Sequence, residues 1–335
     1  MKKNVVSKVM AVCLVAGSLL LLSWGRWGHQ HINNAAVFAL PESMRPFFYN
    51  HIDFITEEAI IPDTRKYSIN DKAEFPRHYI NMETYQPNGP ADSIPYTMKD
   101  AVAKFDAKTL DKGGILPWYM MDMMQKLTQA FKDKRKAEIL FLSADLGHYL
   151  GDANMPLHTA LNHDGQLTDQ KGIHAFFESQ LPEQFGDSYN FYIGNATYVK
   201  DVPAEVWRIV MASHKLADTL LLIEKNLKAG FDPNNIFEKD SAGNIKRNFY
   251  HDPIHTYAYA KAYHDALHGM VEKQLRAAAI ATANFWYTAW VNAGSPDLSQ
   301  LDDASLTERN KKNYKKDYQR WKKGELFGFK VDKEF

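Results

Sequence analysis

Apolar residues recur at steps of three and four over 29–40, 42–51, 97–108, 117–132, 134–152, 172–180, 204–228 and 256–292, the spacing of helices that bury one face. Alternation of the kind that marks a half-buried strand is scarce. Residues 189–199 could form a short extended element, but it stands alone, and a lone strand makes no sheet. The pattern predicts an all-α fold. No internal repeat or low-complexity linker interrupts the chain before residue 295, so a single compact multi-helix domain is expected. The connections at 52–96 and 158–171 are long for such a domain, and long connections tend to carry function.

The two ends depart from this pattern. Lys2, Lys3 and Lys8 accompany an apolar run over 9–22 that is too short to span a bilayer. Residues 1–23 therefore read as a secretory signal, with cleavage after Ser23 and a mature chain that begins at Trp24 and ends up periplasmic or secreted. Leu21, three residues before that cut, is larger than signal peptidases favour. Cys13 lies inside the run, where it does not suit a lipid anchor. It is also the chain's only cysteine, so the mature protein has no disulfide and no thiolate metal ligand. Acidic and basic residues balance at 40 each. Losing three lysines and no acid leaves about minus three, which advertises no general affinity for nucleic acid.

After 24–296, the expected domain, comes a charged tail over 297–335. It carries Arg309, Lys311, Lys312, Lys315, Lys316, Arg320, Lys322 and Lys323. Such a run can grip an anionic surface, or it can be the solvated face of a helix packed through Tyr314, Tyr318 and Trp321.

The densest chemistry lies in ADLGHYLGDANMPLH, residues 144–158. His148 and Asp152 are four apart, so on a helix both leave one face and can share a metal. Asn154, Met155 and Pro156 then stop the helix and let the chain return His158 to the same place. In GIHAFFES, His174 and Glu178 repeat the four-residue step. Two such pairs of imidazole and carboxylate within about thirty residues suggest a multinuclear site suited to zinc. Asp63 in IPDTRKY and His78 in PRHYINMETY are unremarkable by themselves. His264 and His268 have the same spacing, but Asp265 stands where a metalloprotease helix needs Glu. His31, His51, His163, His214, His251 and His255 read as surface or hydrogen-bonded residues. His163 and Asp164 are close enough in sequence to support a ligand.

Taken together, WGRWGH at the mature start, Asp63, RHYIN, HYLGDANMPLH and GIHAFFES resemble, in order and spacing, the superfamily of zinc-dependent phospholipases C and single-strand nucleases of the S-one/P-one type. The match runs from Trp24 to Glu178. The resemblance implies three zinc ions. One would be held by Asp63, His78, His148 and Asp152; a second by His158, His174 and Glu178; a third by His29, a bridging Asp152, and the free amine and carbonyl oxygen of Trp24. An α-amine loses its proton readily enough to serve as a ligand. Six positive charges against three carboxylates leave a cationic site that attracts a phosphodiester, and closely spaced metals bring a water's pKa to about 7.

The resemblance also implies Asp63, Asp152, Arg65 and Lys66 at the reacting centre, and Tyr79 and Asn81 against the substrate. The steps from Trp24 to His29 and from Asp63 to His78, with Tyr79 directly after His78, are nuclease-like. Glu178, the short loop from His158 to His174 and the missing disulfides are similar to the bacterial phospholipases. Arg65 and Lys66 stand where the family has an Arg three after Asp63, and Asn81 replaces a base-reading acid. The expected function is exported, zinc-dependent cleavage of single-stranded nucleic acid or nucleotides. Phospholipid head groups are the alternative substrate, and a non-catalytic zinc-stabilised binding protein is the second alternative. No obligate protein partner is implied.

Overall fold

A computed structural model describes residues 25–89, 93–248 and 251–326, apart from the side chains of 304–307, 309 and 312. The expected signal over 1–23, and Trp24, lie outside the described residues.

The fold is all-α. Its centre is built from α1 (Gly25–Ala39), α2 (Leu116–Lys132), α3 (Lys136–Ala153) and a longer helix at Met270–Asn292. Helix α1 is buried along nearly its whole length, because α3 and Met270–Asn292 pack against it. The pair α2 and α3 is joined by a tight turn in which Lys134 adopts a left-handed backbone. Helix α4 (Val202–Gly230) begins where Asp201 accepts a hydrogen bond from Ala204 N and Pro203 fixes the first turn, a cap that contributes about 1 kcal/mol.

The continuous helix expected over 256–292 is two, α5 (Tyr257–Ala266) and α6 (Met270–Asn292). His268 and Gly269, both with positive φ, break it. The connection over 52–96 is not a bare loop but a chain of short helical turns, among them Ile52–Glu57, Thr64–Ser68 and Phe75–His78. Residues 189–199 run extended without strand pairing, held by backbone bonds such as Ala196 N to Ala39 O. The pairing that does occur among the described residues is three isolated antiparallel bridges within 237–255. No helix of the described residues is long and apolar enough to cross a membrane.

Part of the charged tail forms α7 (Ala304–Lys322), docked through its aromatic side. Trp321 is buried between Phe38 and Tyr192, Asp317 accepts from the Tyr49 hydroxyl at 2.7 Å, and Arg45 lies 4.1 Å above the Tyr318 ring. These are the packing contacts expected of Tyr318 and Trp321. Tyr314, 4.9 Å from Tyr49, joins them.

Candidate metal centre

The centre is assembled on α3. His148 and Asp152 leave one face, with Nε2 and Oδ2 3.3 Å apart. Gly147 and Gly151 line the side facing α1, and the approach there demands them. A Cβ on Gly147 would lie 1.9 Å from Asn33 Oδ1, and one on Gly151 2.9 Å from the His29 ring. With both notches open, Asn33 donates to Ile55 O and Ala144 O, and His29 stacks on His148 with ring centroids 3.9 Å apart. Its Nε2 comes to 3.5 Å from Asp152 Oδ1.

The turns at 61–78 supply two more groups. His78 Nδ1 lies 3.0 Å from Asp152 Oδ2, 3.1 Å from His148 Nε2 and 3.5 Å from Asp63 Oδ1. At the end of α3, Met155 and Pro156 turn the chain as expected, and His158 returns. It is strapped to the 78–80 segment by its Nδ1 on His78 O, 2.5 Å, and by Ile80 N on His158 O, 2.9 Å.

His174 and Glu178 meet at 2.7 Å, one step apart as expected, although 176–180 is a wide π-helical turn rather than a regular helix. A second π-helical turn, 64–68, carries Lys66 and Tyr67. Such turns recur at functional sites.

His163 and Asp164 support His174 through the loop: His174 Nδ1 sits 2.9 Å from His163 O, and Asp164 Oδ1 accepts from Gly172 N and His174 N. The loop itself is moored by Gln170, whose amide donates to the buried Glu224 carboxylate at 2.6 Å and to Leu221 O.

Three groups of side chains among the described residues can hold a metal ion: His29, His148 and Asp152; Asp63, His78 and His148; and His158, His174 and Glu178. The residues fit such ions on independent grounds. Both carboxylate oxygens of Asp63 are buried without a hydrogen-bond partner, an arrangement that costs several kcal/mol unless a cation compensates it.

Burial raises the Asp63 pKa, with His148, His78 and Lys66 opposing it incompletely. Burial also works against charge on Asp152 and Glu178, but His148 and His158 hold the first well below the carboxylate range, and His174 and His158 hold the second there. His148 and His174, despite burial, are raised to about 9, chiefly by Asp152 and by Glu178 respectively. His29 is pushed down by burial and by His148. These are strongly interacting groups whose protons a metal displaces on binding.

His158, His174 and Glu178 open onto a cleft of about 770 Å³, while Asp63, His78, His148, Asp152 and His29 lie behind it in the core. Lys66, Tyr79 and Asn81 line the cleft. Lys66 is almost buried, its ammonium 4.6 Å from the Tyr67 ring; burial works against its charge, but Tyr67 and Asp63 raise its pKa. Arg65 is placed elsewhere. Its guanidinium pairs with Asp145 at 2.7 Å and Glu74 at 3.1 Å and does not line the cleft. Trp24 lies outside the described residues. His264 meets the Tyr189 hydroxyl and belongs to no metal group.

Sequence reasoning missed Tyr67 and Lys112 in the cleft, and Glu74 behind it. Glu74 is fully buried and accepts from Arg65, Arg77 and Tyr149. Burial opposes its charge, but His78, Tyr149 and Arg65 hold its carboxyl below the usual range. The four-residue step from Glu74 to His78 stands in the sequence, but Pro76 between them is a residue that interrupts a regular helix. No protein-family model matches the chain, and no curated protein aligns with it significantly.

Proposed function

We propose that this protein is a zinc-dependent phosphodiester hydrolase acting on single-stranded nucleic acid. One observation carries the reading: two buried ligand groups share His148 behind a third group that faces a cleft, and within them the Asp63 carboxylate is buried with neither oxygen hydrogen-bonded. Structural zinc is usually held singly and closed by four protein ligands, whereas two of these groups overlap at His148 and the third opens to solvent. With no thiolate present, imidazole and carboxylate favour zinc. Three ions fit the groups if the third is completed by a processed Trp24. Zinc so placed supplies Lewis acidity, polarising a phosphoryl oxygen and bringing the pKa of water to about 7.

The chain's own residues do the rest. The Lys66 ammonium, kept charged inside the cleft, takes a phosphoryl or leaving oxygen. Lys112 adds positive charge, and the Tyr67 and Tyr79 rings offer faces on which unstacked bases can rest. Those two aromatic rings are what favours nucleic acid over a phospholipid head group.

Elemental analysis of the purified mature chain, with assays on bis(4-nitrophenyl) phosphate, single-stranded DNA, RNA and phosphatidylcholine, tests this. The expected result is about three zinc ions and turnover of the diester and the single strands, lost on chelation. A protein that binds zinc but cleaves none of these substrates is the zinc-stabilised binding module instead.

A further inference from the structure

Three of the clustered histidines are held alike. Nδ1 of His148, His158 and His174 faces a backbone carbonyl, of Ala59 at 2.8 Å, His78 at 2.5 Å and His163 at 2.9 Å, which leaves Nε2 for an ion. His78 is reversed. Its Nδ1 points into the cluster, 3.0 Å from Asp152 and 3.5 Å from Asp63, and its Nε2, buried and without a hydrogen bond as placed, stands 3.4 Å from Glu74 Oε1.

The Glu74 carboxylate can accept about four hydrogen bonds, and three donors bond to it, which leaves room for a fourth. Arg65 Nε at 3.1 Å and Arg77 Nη1 at 2.9 Å meet Oε2, and the Tyr149 hydroxyl meets Oε1, beside which His78 Nε2 stands at 3.4 Å. A backbone carbonyl fixes a ring's tautomer with a partial charge. A carboxylate does so with a full one and makes the far nitrogen a stronger donor.

We infer that Glu74 is a positioning residue for the inner metal: it accepts the Nε2 proton of His78, fixes the tautomer that presents Nδ1, and tightens the hold of the Asp63, His78, His148 and Asp152 set. This rests on the metal centre proposed above. The competing role is a strut, in which Glu74 merely ties Arg65, Arg77 and Tyr149 together. The two roles separate because Tyr149→Phe removes a strut contact to the same oxygen and leaves the His78 contact alone.

The test compares Glu74→Gln with Tyr149→Phe in the full mature chain, by zinc titration against a competing chelator and by nitrogen-15 NMR of the imidazoles in metal-free protein. Glu74→Gln should weaken one zinc by about 10- to 100-fold, and Tyr149→Phe should change it less than about threefold. The metal-free wild type should show His78 protonated at Nε2, and Glu74→Gln should shift that signal towards the mixed tautomers of free imidazole. Equal weakening in both variants, or zinc affinity and His78 signal unchanged in Glu74→Gln, overturns the inference. Should the wild type bind no zinc, the proposed function fails, while the metal-free NMR signal still decides whether Glu74 holds His78.

Discussion

The two halves of the metal centre are built differently. His29, Asp63, His78, His148 and Asp152 sit in the core, with His29, His78, His148 and Asp152 at zero exposure; packing of α1 on α3 fixes His29, His148 and Asp152, and buried turns hold Asp63 and His78 against them. His158, His174 and Glu178 face the cleft, are delivered by turns and a loop, and are aimed by backbone carbonyls and the Asp164 carboxylate; the His174 side chain is 26% exposed. A site locked into the core resists rearrangement. A site on a moored loop stays open to substrate, and an open position is what distinguishes a catalytic zinc from a structural one.

Asp152 joins the halves, since its Oδ1 lies 3.5 Å from His29 and 3.7 Å from His158 while Oδ2 faces His78 and His148. Removing it should empty the two inner positions. Asp152→Ala is expected to lose up to two zinc ions and essentially all diesterase activity. Metal content equal to wild type by elemental analysis would rule out the bridging role.

The next largest effect should be on folding and confined to the inner half. Gly147→Ala puts a methyl group into Asn33 and displaces it from Ile55 O and Ala144 O. Overpacking and lost buried hydrogen bonds together should cost at least about 3 kcal/mol, read by urea unfolding of metal-free protein. A variant as stable as wild type would show that α1 and α3 have room to separate.

The outer half should lose metal without losing the fold. Glu178→Ala should bind one zinc fewer, and its metal-free form should melt below wild type but above Gly147→Ala, because removing one member of a buried charged group costs stability that His174 limits by shedding its proton. A collapse of melting temperature as large as that of Gly147→Ala would erase the distinction between the halves.

The residues of the centre were also unequally legible. His148, Asp152, His158, His174 and Glu178 could be read from helical spacing and a helix stop, because local geometry alone brings them near one another. Asp63 and His78 could not be read that way, since the turns that deliver them cover residues 52–78 with no lasting period; only the resemblance pointed to them. The placement of Arg65 was hidden for the same reason. Arg65 adjoins Lys66 in sequence, but the wide turn sends one residue to the cleft and the other to Glu74 and Asp145. The helices themselves were visible throughout, except at Leu267–Gly269, where apolar periodicity continues across a backbone break that only the glycine signals.

The smallest effect concerns the cleft, where Tyr79 is either a platform for a base or simply part of the wall. Its hydroxyl donates to Asp111 O at 3.2 Å, and Gly114 lies so close that a Cβ there would come within 2.6 Å of the ring. The ring is therefore held in place before any substrate arrives, which suits stacking because little entropy remains to be lost. Tyr79→Ala should weaken binding of a single-stranded oligonucleotide by about 1–3 kcal/mol and leave turnover of bis(4-nitrophenyl) phosphate nearly unchanged. Tyr79→Phe, which keeps the π face and loses only the anchor, should fall between that variant and wild type. Duplex DNA should be a poor substrate, since a base must leave its stack to reach the ring. Equal losses on oligonucleotide and small diester would make Tyr79 a wall. Rapid release of diacylglycerol from phosphatidylcholine, with single strands left intact, would move the assignment to a phospholipase C that uses the same ligand residues.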